Sequence, residues 1–180
     1  MKYIVSLYIW TVAGFVMGII LILAILFTFF LPPKIYDPVL KKMLRSIFKL
    51  TFSKVELEGE EKIDPNKAYL YMANHVSLFD APLLAGFIPS YVRAIEADRQ
   101  HKWPLYGWAV KRYGNIGIDR SSHFNSLRGM KRAAKNLQDG KSMAILPEGH
   151  RTLTGKLGPF KKLPFYLAKK GGVDIVPIGM

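Results

Sequence analysis

Asn74, His75, Val76, Ser77, Leu78, Phe79 and Asp80 form the stretch of this 180-residue sequence best equipped for chemistry. It pairs an imidazole, the side chain that titrates nearest neutrality, with a carboxylate five residues further on. If a strand ends at His75 and a helix follows the next turn, the Asp80 carboxylate comes back towards the ring. There it fixes the tautomer and stabilises the imidazolium formed when the ring takes a proton. The pair is then a general base with an orienting partner. A purely structural reading fits as well, because Ser77 and Asp80 also have the spacing of a capping box that satisfies free helix N–H groups. A nucleophile triad of Ser77, His75 and Asp80 is disfavoured: the three crowd into six residues and no G-x-S-x-G elbow exists.

Two further segments carry polar groups suited to a ligand. Gly114, Asn115, Ile116, Gly117, Ile118, Asp119 and Arg120 place an Asp and an Arg just beyond a short apolar run. A guanidinium at Arg120 has the planar fork that grips a phosphate through two N–H groups, although an Asp–Arg pair read alone is a surface turn. Leu146, Pro147, Glu148, Gly149, His150, Arg151 and Thr152 combine a rigid Pro, a carboxylate, a Gly that admits close backbone approach and an Arg. Glu148 is suited to accept hydrogen bonds from hydroxyls or to position Arg151. A metal site drawn from His75, His101, His123 and Glu148 lacks the H-E-x-x-H spacing, and no metal is expected.

These segments meet only if the right elements present them. Apolar runs at 68–73, 91–96, 115–118, 142–146 and 173–178 read as short buried strands. Helices are predicted over 77–87, opened by Ser77, and over 104–112, 123–139 and 161–170. The alternation predicts an α/β domain with a mixed, mostly parallel sheet flanked by helices, whose ligands bind outside the carboxyl ends of the strands. Each candidate segment begins at such an end.

From Tyr3 to Leu31 no residue is charged. A helix of that length, rising about 1.5 Å per residue, crosses a hydrocarbon core of ~30 Å. A signal peptide fits less well, since its apolar part spans roughly 7 to 15 residues and is followed by small residues rather than Leu31, Pro32 and Pro33. Lys34, Lys41, Lys42, Arg45 and Lys49 follow the segment closely, which places the remainder on the cytoplasmic side. Gly14 and Gly18 leave open a bent segment confined to one leaflet. Residues 36–52 space Val39, Leu40, Met43, Leu44, Ile47, Phe48 and Phe52 helically between basic residues, the pattern of an amphipathic helix at a membrane surface or of an ordinary packing helix. With 26 Lys and Arg against 13 Asp and Glu, the net charge of +13 must face something negative. The apolar segment favours anionic lipid over nucleic acid, and the absence of cysteine excludes thiolate chemistry.

Taken together, NHVSLFD at 74–80, GNIGIDR at 114–120, LPEGHRT at 146–152 and IVPIG at 175–179 resemble, in order and spacing, the glycerolipid acyltransferase family that includes 1-acylglycerol-3-phosphate acyltransferases. The resemblance implies His75 as general base with Asp80 as its partner. It implies Asn74, Ser77, Arg120, Glu148, Gly149 and Arg151 in binding the substrates, with the fourth block shaping the acyl or acceptor site. The implied reaction moves a fatty acyl group from acyl-CoA or an acyl carrier protein to the sn-2 hydroxyl of lysophosphatidic acid, giving phosphatidic acid, with no other cofactor. Glycerol-3-phosphate or another lysolipid is the alternative acceptor. A non-catalytic lipid-binding module on a basic membrane surface is the alternative class. His150 stands where the family usually has Thr, Gly117 where a bulky residue is common, and Leu163 where Gly is frequent. The expected organisation is a membrane segment over 1–33, an amphipathic helix and linker over 34–56, and an acyltransferase domain over 57–180. That domain is expected to be cut short at Met180, where relatives continue with further strands.

Overall fold

Strands without polar alternation must be covered on both faces, and that is how this chain uses them. The structure, a computed structural model, describes residues 2–119, 121 and 123–180, and of His123 the backbone only. Strands β1 (Tyr69–Ala73), β2 (Val92–Ala97), β3 (Ile116–Ile118), β4 (Ser142–Ile145) and β5 (Asp174–Ile178) form one sheet in the order β3-β2-β4-β1-β5. Every described pairing is parallel, with Tyr71 opposite Ala144 on one side and Val176 on the other. Helices α1 (Lys2–Phe30), α2 (Pro33–Leu50), α3 (Asp80–Phe87), α4 (Tyr106–Tyr113), α5 (His123–Gln138) and α6 (Lys162–Gly171) supply the cover.

The two faces of β1 show the division. Leu70 and Met72 join Ile95, Ile118, Met143 and Ile145 beneath Met130, Ala133 and Leu137 of α5 and Leu167 of α6. Tyr69, Tyr71 and Ala73 point the other way, onto Leu84 of α3 and Ile88. Alternate residues on a strand face opposite sides, so one short run feeds both cores.

This arrangement also locates the site. Strands β1 and β4 are neighbours, yet the chain leaving β1 turns into α3 on one face and the chain leaving β4 reaches α6 on the other. Between diverging connections a crevice opens at the carboxyl ends of the strands. NHVSLFD leaves β1 and LPEGHRT leaves β4, so the two segments flank that crevice.

Helix α1 lies on the domain along much of its length. Ala13, Ile20 and Ala24 are buried against Tyr36, Leu40 and Ile47 of α2 and Ala109 of α4, whereas Leu7, Trp10, Phe15, Ile22 and Phe29 stay exposed. Near its carboxyl end, Arg112 donates to the Thr28 hydroxyl at 3.0 Å and the Thr28 carbonyl at 3.1 Å. The 36–52 stretch falls largely in α2, which buries Leu40, Ile47 and Phe48 between α1 and α3 and leaves Val39 and Leu50 exposed. Its buried Lys41 lies 2.9 Å from Asp37 and donates to the Pro89 and Ser90 carbonyls at 3.2 and 2.8 Å.

Candidate active site

The helix after β1 begins at Asp80 rather than at Ser77. Ser77 Oγ accepts the Phe79 N–H at 3.1 Å, which closes a tight turn and delays the first helical residue. That turn swings Asp80 back over the residues before it. Its Oδ2 lies 2.6 Å from His75 Nδ1 and accepts the N–H groups of Val76 and Ser77 at 2.8 and 2.9 Å. One carboxylate oxygen thus fixes the backbone of the turn and the imidazole together. The Asp80 side chain is 2% exposed and that of His75 21%. A carboxylate bonded at Nδ1 leaves the lone pair on Nε2, the ring atom with no partner among the described residues.

Glu148 holds His75 from the other side. Its Oε1 accepts the His75 N–H at 2.7 Å and its Oε2 the Gly158 N–H at 2.8 Å, while the Thr152 N–H donates to the His75 carbonyl at 2.8 Å. Buried at 5% exposure, Glu148 has both oxygens engaged by backbone. The geometry ties Glu148 to the backbone of His75 and of Gly158, and no bond from it to Arg151 is found among the described residues. Asn74 is occupied too: its amide accepts the Met180 N–H at 2.8 Å and donates to the Met180 carbonyl at 3.0 Å, tying the end of β1 to the residue after IVPIG.

Beyond Glu148 the chain folds around a cleft of about 380 Å³ lined by Arg151, Thr152, Lys156, Phe160 and Lys161, with Glu148 at its base. Gly149 has φ +78, a left-handed conformation costly for other residues, and a Cβ there would lie 3.0 Å from the Lys161 side chain. The glycine therefore lets Lys161 reach across the loop. Sequence reading missed Lys156, Gly158 and Lys161 as members of this site. The only signal was the basic pair Lys161 and Lys162 after Phe160.

The second segment lies apart. β3 is three strands from β1, ~14 Å at the usual strand spacing. Gly117 and Asp119 line a cleft of about 430 Å³ with Arg128 and Arg132 of α5. Hydrogen bonds from Ser121, then from Asn125, hold the Asp119 carboxyl below its ordinary range. Gly117 is small for a local reason, since a Cβ would lie 2.8 Å from Asp98 Oδ1 and 3.2 Å from His101 Nδ1. Arg120, expected to bind phosphate, lies outside the described residues. His101 is buried beside Glu96, with 3.2 Å between Nε2 and Oε1. Among the described residues no three His, Asp or Glu gather as metal ligands.

Comparison with known proteins gives the family. The chain is 33% identical over 138 residues to a chloroplastic 1-acyl-sn-glycerol-3-phosphate acyltransferase of Brassica napus, covering 76% of this chain and 40% of that protein. It is 32% identical over 126 residues to a lyso-ornithine lipid O-acyltransferase of Pseudomonas aeruginosa, covering 70% and 46%. The chain thus spans less than half the length of these relatives. The crystal structure of the 1-acyl-sn-glycerophosphate acyltransferase PlsC from Thermotoga maritima superposes with a TM-score of 0.81 at 25% identity, over 98% of this chain and 74% of that one. The profile described as Acyltransferase matches residues 54–180, from the segment before β1 through all five strands, and the chain belongs to that family.

Proposed function

We propose that the protein transfers a fatty acyl group from a thioester, carried on coenzyme A or an acyl carrier protein, to the sn-2 hydroxyl of 1-acylglycerol-3-phosphate. The observation that carries this reading is the 2.6 Å contact between His75 Nδ1 and Asp80 Oδ2 beside a basic cleft at the mouth of the sheet. A module that only binds lipid has no need of an imidazole held by a buried carboxylate with its second nitrogen open. Relatives named for lysophosphatidate acylation support the choice of acceptor.

The chemistry follows from the groups in place. An alcohol is a weak nucleophile at neutral pH and needs a base, whereas a thiol of pKa ~8.5 leaves as thiolate with little help. Nε2 of His75 takes the hydroxyl proton as the oxygen attacks the thioester carbonyl. The tetrahedral intermediate then collapses, the C–S bond breaks, and the imidazolium returns its proton to the departing sulfur. Asp80 holds the ring in orientation and offsets its transient charge. The Val76 and Ser77 N–H groups are committed to Asp80, so the oxyanion is met by other donors at the mouth. Arg151, Lys156 and Lys161 receive the acceptor phosphate.

Attachment to the membrane is part of the reading. α1 is long and apolar enough to span a bilayer. Yet crossing would carry α2 and α4, with Asp37, Lys41 and Arg112, into hydrocarbon, where charged groups are costly. We therefore place α1 in one leaflet with its exposed face towards lipid and the domain on the cytoplasmic side. The test is direct: purified protein in detergent receives labelled acyl-CoA or acylated carrier protein and a panel containing 1-acylglycerol-3-phosphate, glycerol-3-phosphate and lyso-ornithine lipid. Labelled phosphatidic acid is expected. Absence of any acyl product rejects the enzyme, and a product from another acceptor alone rejects the substrate.

A further inference from the structure

The loop between β4 and α6 lines the cleft with Leu157 and Phe160 and also projects one residue, Leu153, beyond it. Leu153 at its tip is 98% exposed, and Leu157 and Phe160 are exposed beside it. A lone exposed leucine is ordinary, but three apolar side chains on one basic loop form a patch. The tip is also internally bonded. The Thr152 hydroxyl donates to the Lys156 carbonyl at 2.8 Å, Thr152 Oγ1 accepts the Thr154 N–H at 3.3 Å, Thr154 Oγ1 accepts the Lys156 N–H at 3.4 Å, and Gly155 turns the chain at φ +74. These bonds hold Leu153 outward on a formed turn and satisfy tip groups that would otherwise seek water.

The surroundings identify the occupant. Arg151, Lys156 and Lys161 line the cleft with Leu157 and Phe160, Lys162 follows in sequence, and basic side chains around apolar ones suit the headgroup region of an anionic bilayer. The patch also continues towards α1. Thr152 bonds to His75, exposed Val76 and Leu78 follow, and the next residue, Phe79, packs its ring 5.6 Å from that of Trp10 on α1. α1 and the loop tip thus stand on either side of the His75 turn.

We propose that the Thr152–Phe160 loop is a second membrane-contact site, dipping Leu153 into an anionic lipid surface beside the cleft so that the lipid acceptor enters from the bilayer. The contact itself rests on the exposed loop. The delivery of acceptor rests on the acyltransferase reading above.

The chain contains no cysteine, so a Leu153→Cys variant takes a single environment-sensitive fluorophore. On addition of vesicles rich in phosphatidylglycerol, the label should shift to the blue and be quenched by lipids carrying shallow nitroxides. A label at Asp139→Cys, on the turn feeding the opposite end of β4, should do neither. If the label at 153 stays aqueous while the protein is bound to vesicles, the contact is disproved, whatever the enzyme does. Delivery is read separately with Leu153→Asp. Its activity on long-chain 1-acylglycerol-3-phosphate embedded in vesicles should fall about tenfold, with activity on a short-chain soluble acceptor unchanged. Equal loss on both acceptors, or none on either, overturns delivery. Inactivity of the unaltered protein on every acceptor would instead refute the enzyme reading and leave the fluorescence result standing.

Discussion

Asp80 and Asp37 are both buried carboxylates paired with a cation-forming side chain, but they sit in regions with opposite designs. At the mouth of the sheet, Asp80 holds His75 and two backbone N–H groups, and the partner ring remains partly open with Nε2 unbonded among the described residues. At the seam between α2 and the domain, Asp37 holds Lys41 and the Tyr113 hydroxyl, and Lys41 is capped by two carbonyls. Around it Tyr36 and Tyr91 share a hydrogen bond of 2.8 Å, and Tyr91 donates to the Tyr113 carbonyl at 2.5 Å. A working polar network leaves one atom for the substrate. A structural one closes every valence, because an unmet group in a poorly solvated place costs stability.

The sharpest way to break this contrast is to remove each charge partner in turn. His75→Ala should lower acyl transfer by on the order of 10² to 10⁴, with the thermal midpoint in detergent little changed, since the ring is part-exposed. Asp80→Asn should come close to it, because an amide no longer enforces the tautomer and must fit its N–H₂ among N–H donors. Near-normal turnover by either folded variant would remove the base assignment. Asp37→Ala should do the reverse, destabilising the fold by about 3–5 kcal/mol by stranding Lys41, while the fraction that stays folded turns over normally.

Weaker effects refine the picture inside the mouth. Arg151→Ala should raise the KM for 1-acylglycerol-3-phosphate about tenfold and change kcat less, as expected for a group binding a phosphate that does not react. An unchanged KM would assign the acceptor phosphate to other cations. Glu148→Gln should lower kcat with little change in KM, because the amide keeps one acceptor and turns its N–H₂ towards a backbone N–H that needs one. A pure KM effect would show that Glu148 touches substrate.

The same contrast explains what could be read without coordinates. The five strands lie within two residues of their expected bounds, because short apolar runs between turn-forming residues leave little choice of buried element. His75 and Asp80 were legible as a pair because their separation is bridged by one turn. The start of α3 was not, since Ser77 can cap a helix or close a turn, and which it does depends on where Asp80 finds its donors. Glu148 was legible as a candidate but its bonding partners were not, because they come from His75, 73 residues before it, and from Gly158. The seam was hidden altogether. Lys41 entered the sequence reading only as one of the basic residues after the apolar segment, and only its contact with Asp37 and the Pro89–Ser90 carbonyls, with Tyr113 on Asp37, shows the pair to be interior.

The smallest predicted effect separates the regions by pH. Burial, and then the neighbouring Asp37 charge, raises the Tyr113 phenol well above its usual range; burial and the Tyr36 hydrogen bond do the same for Tyr91. In the unfolded chain these phenols ionise near pH ~10, whereas in the fold they keep their protons. Their contribution is therefore fully present below about pH 10 and is lost as pH climbs beyond it, because the unfolded state releases protons that the folded state retains. Thermal midpoints measured from pH 8 to 11 should fall at the alkaline end. Tyr113→Phe should lower the midpoint at pH 8, losing about 1.5–3 kcal/mol with the bond to Asp37, and should flatten the alkaline decline without abolishing it, since Tyr91 remains. An alkaline decline as steep as in the unaltered protein would mean that the seam is not where the proton release arises.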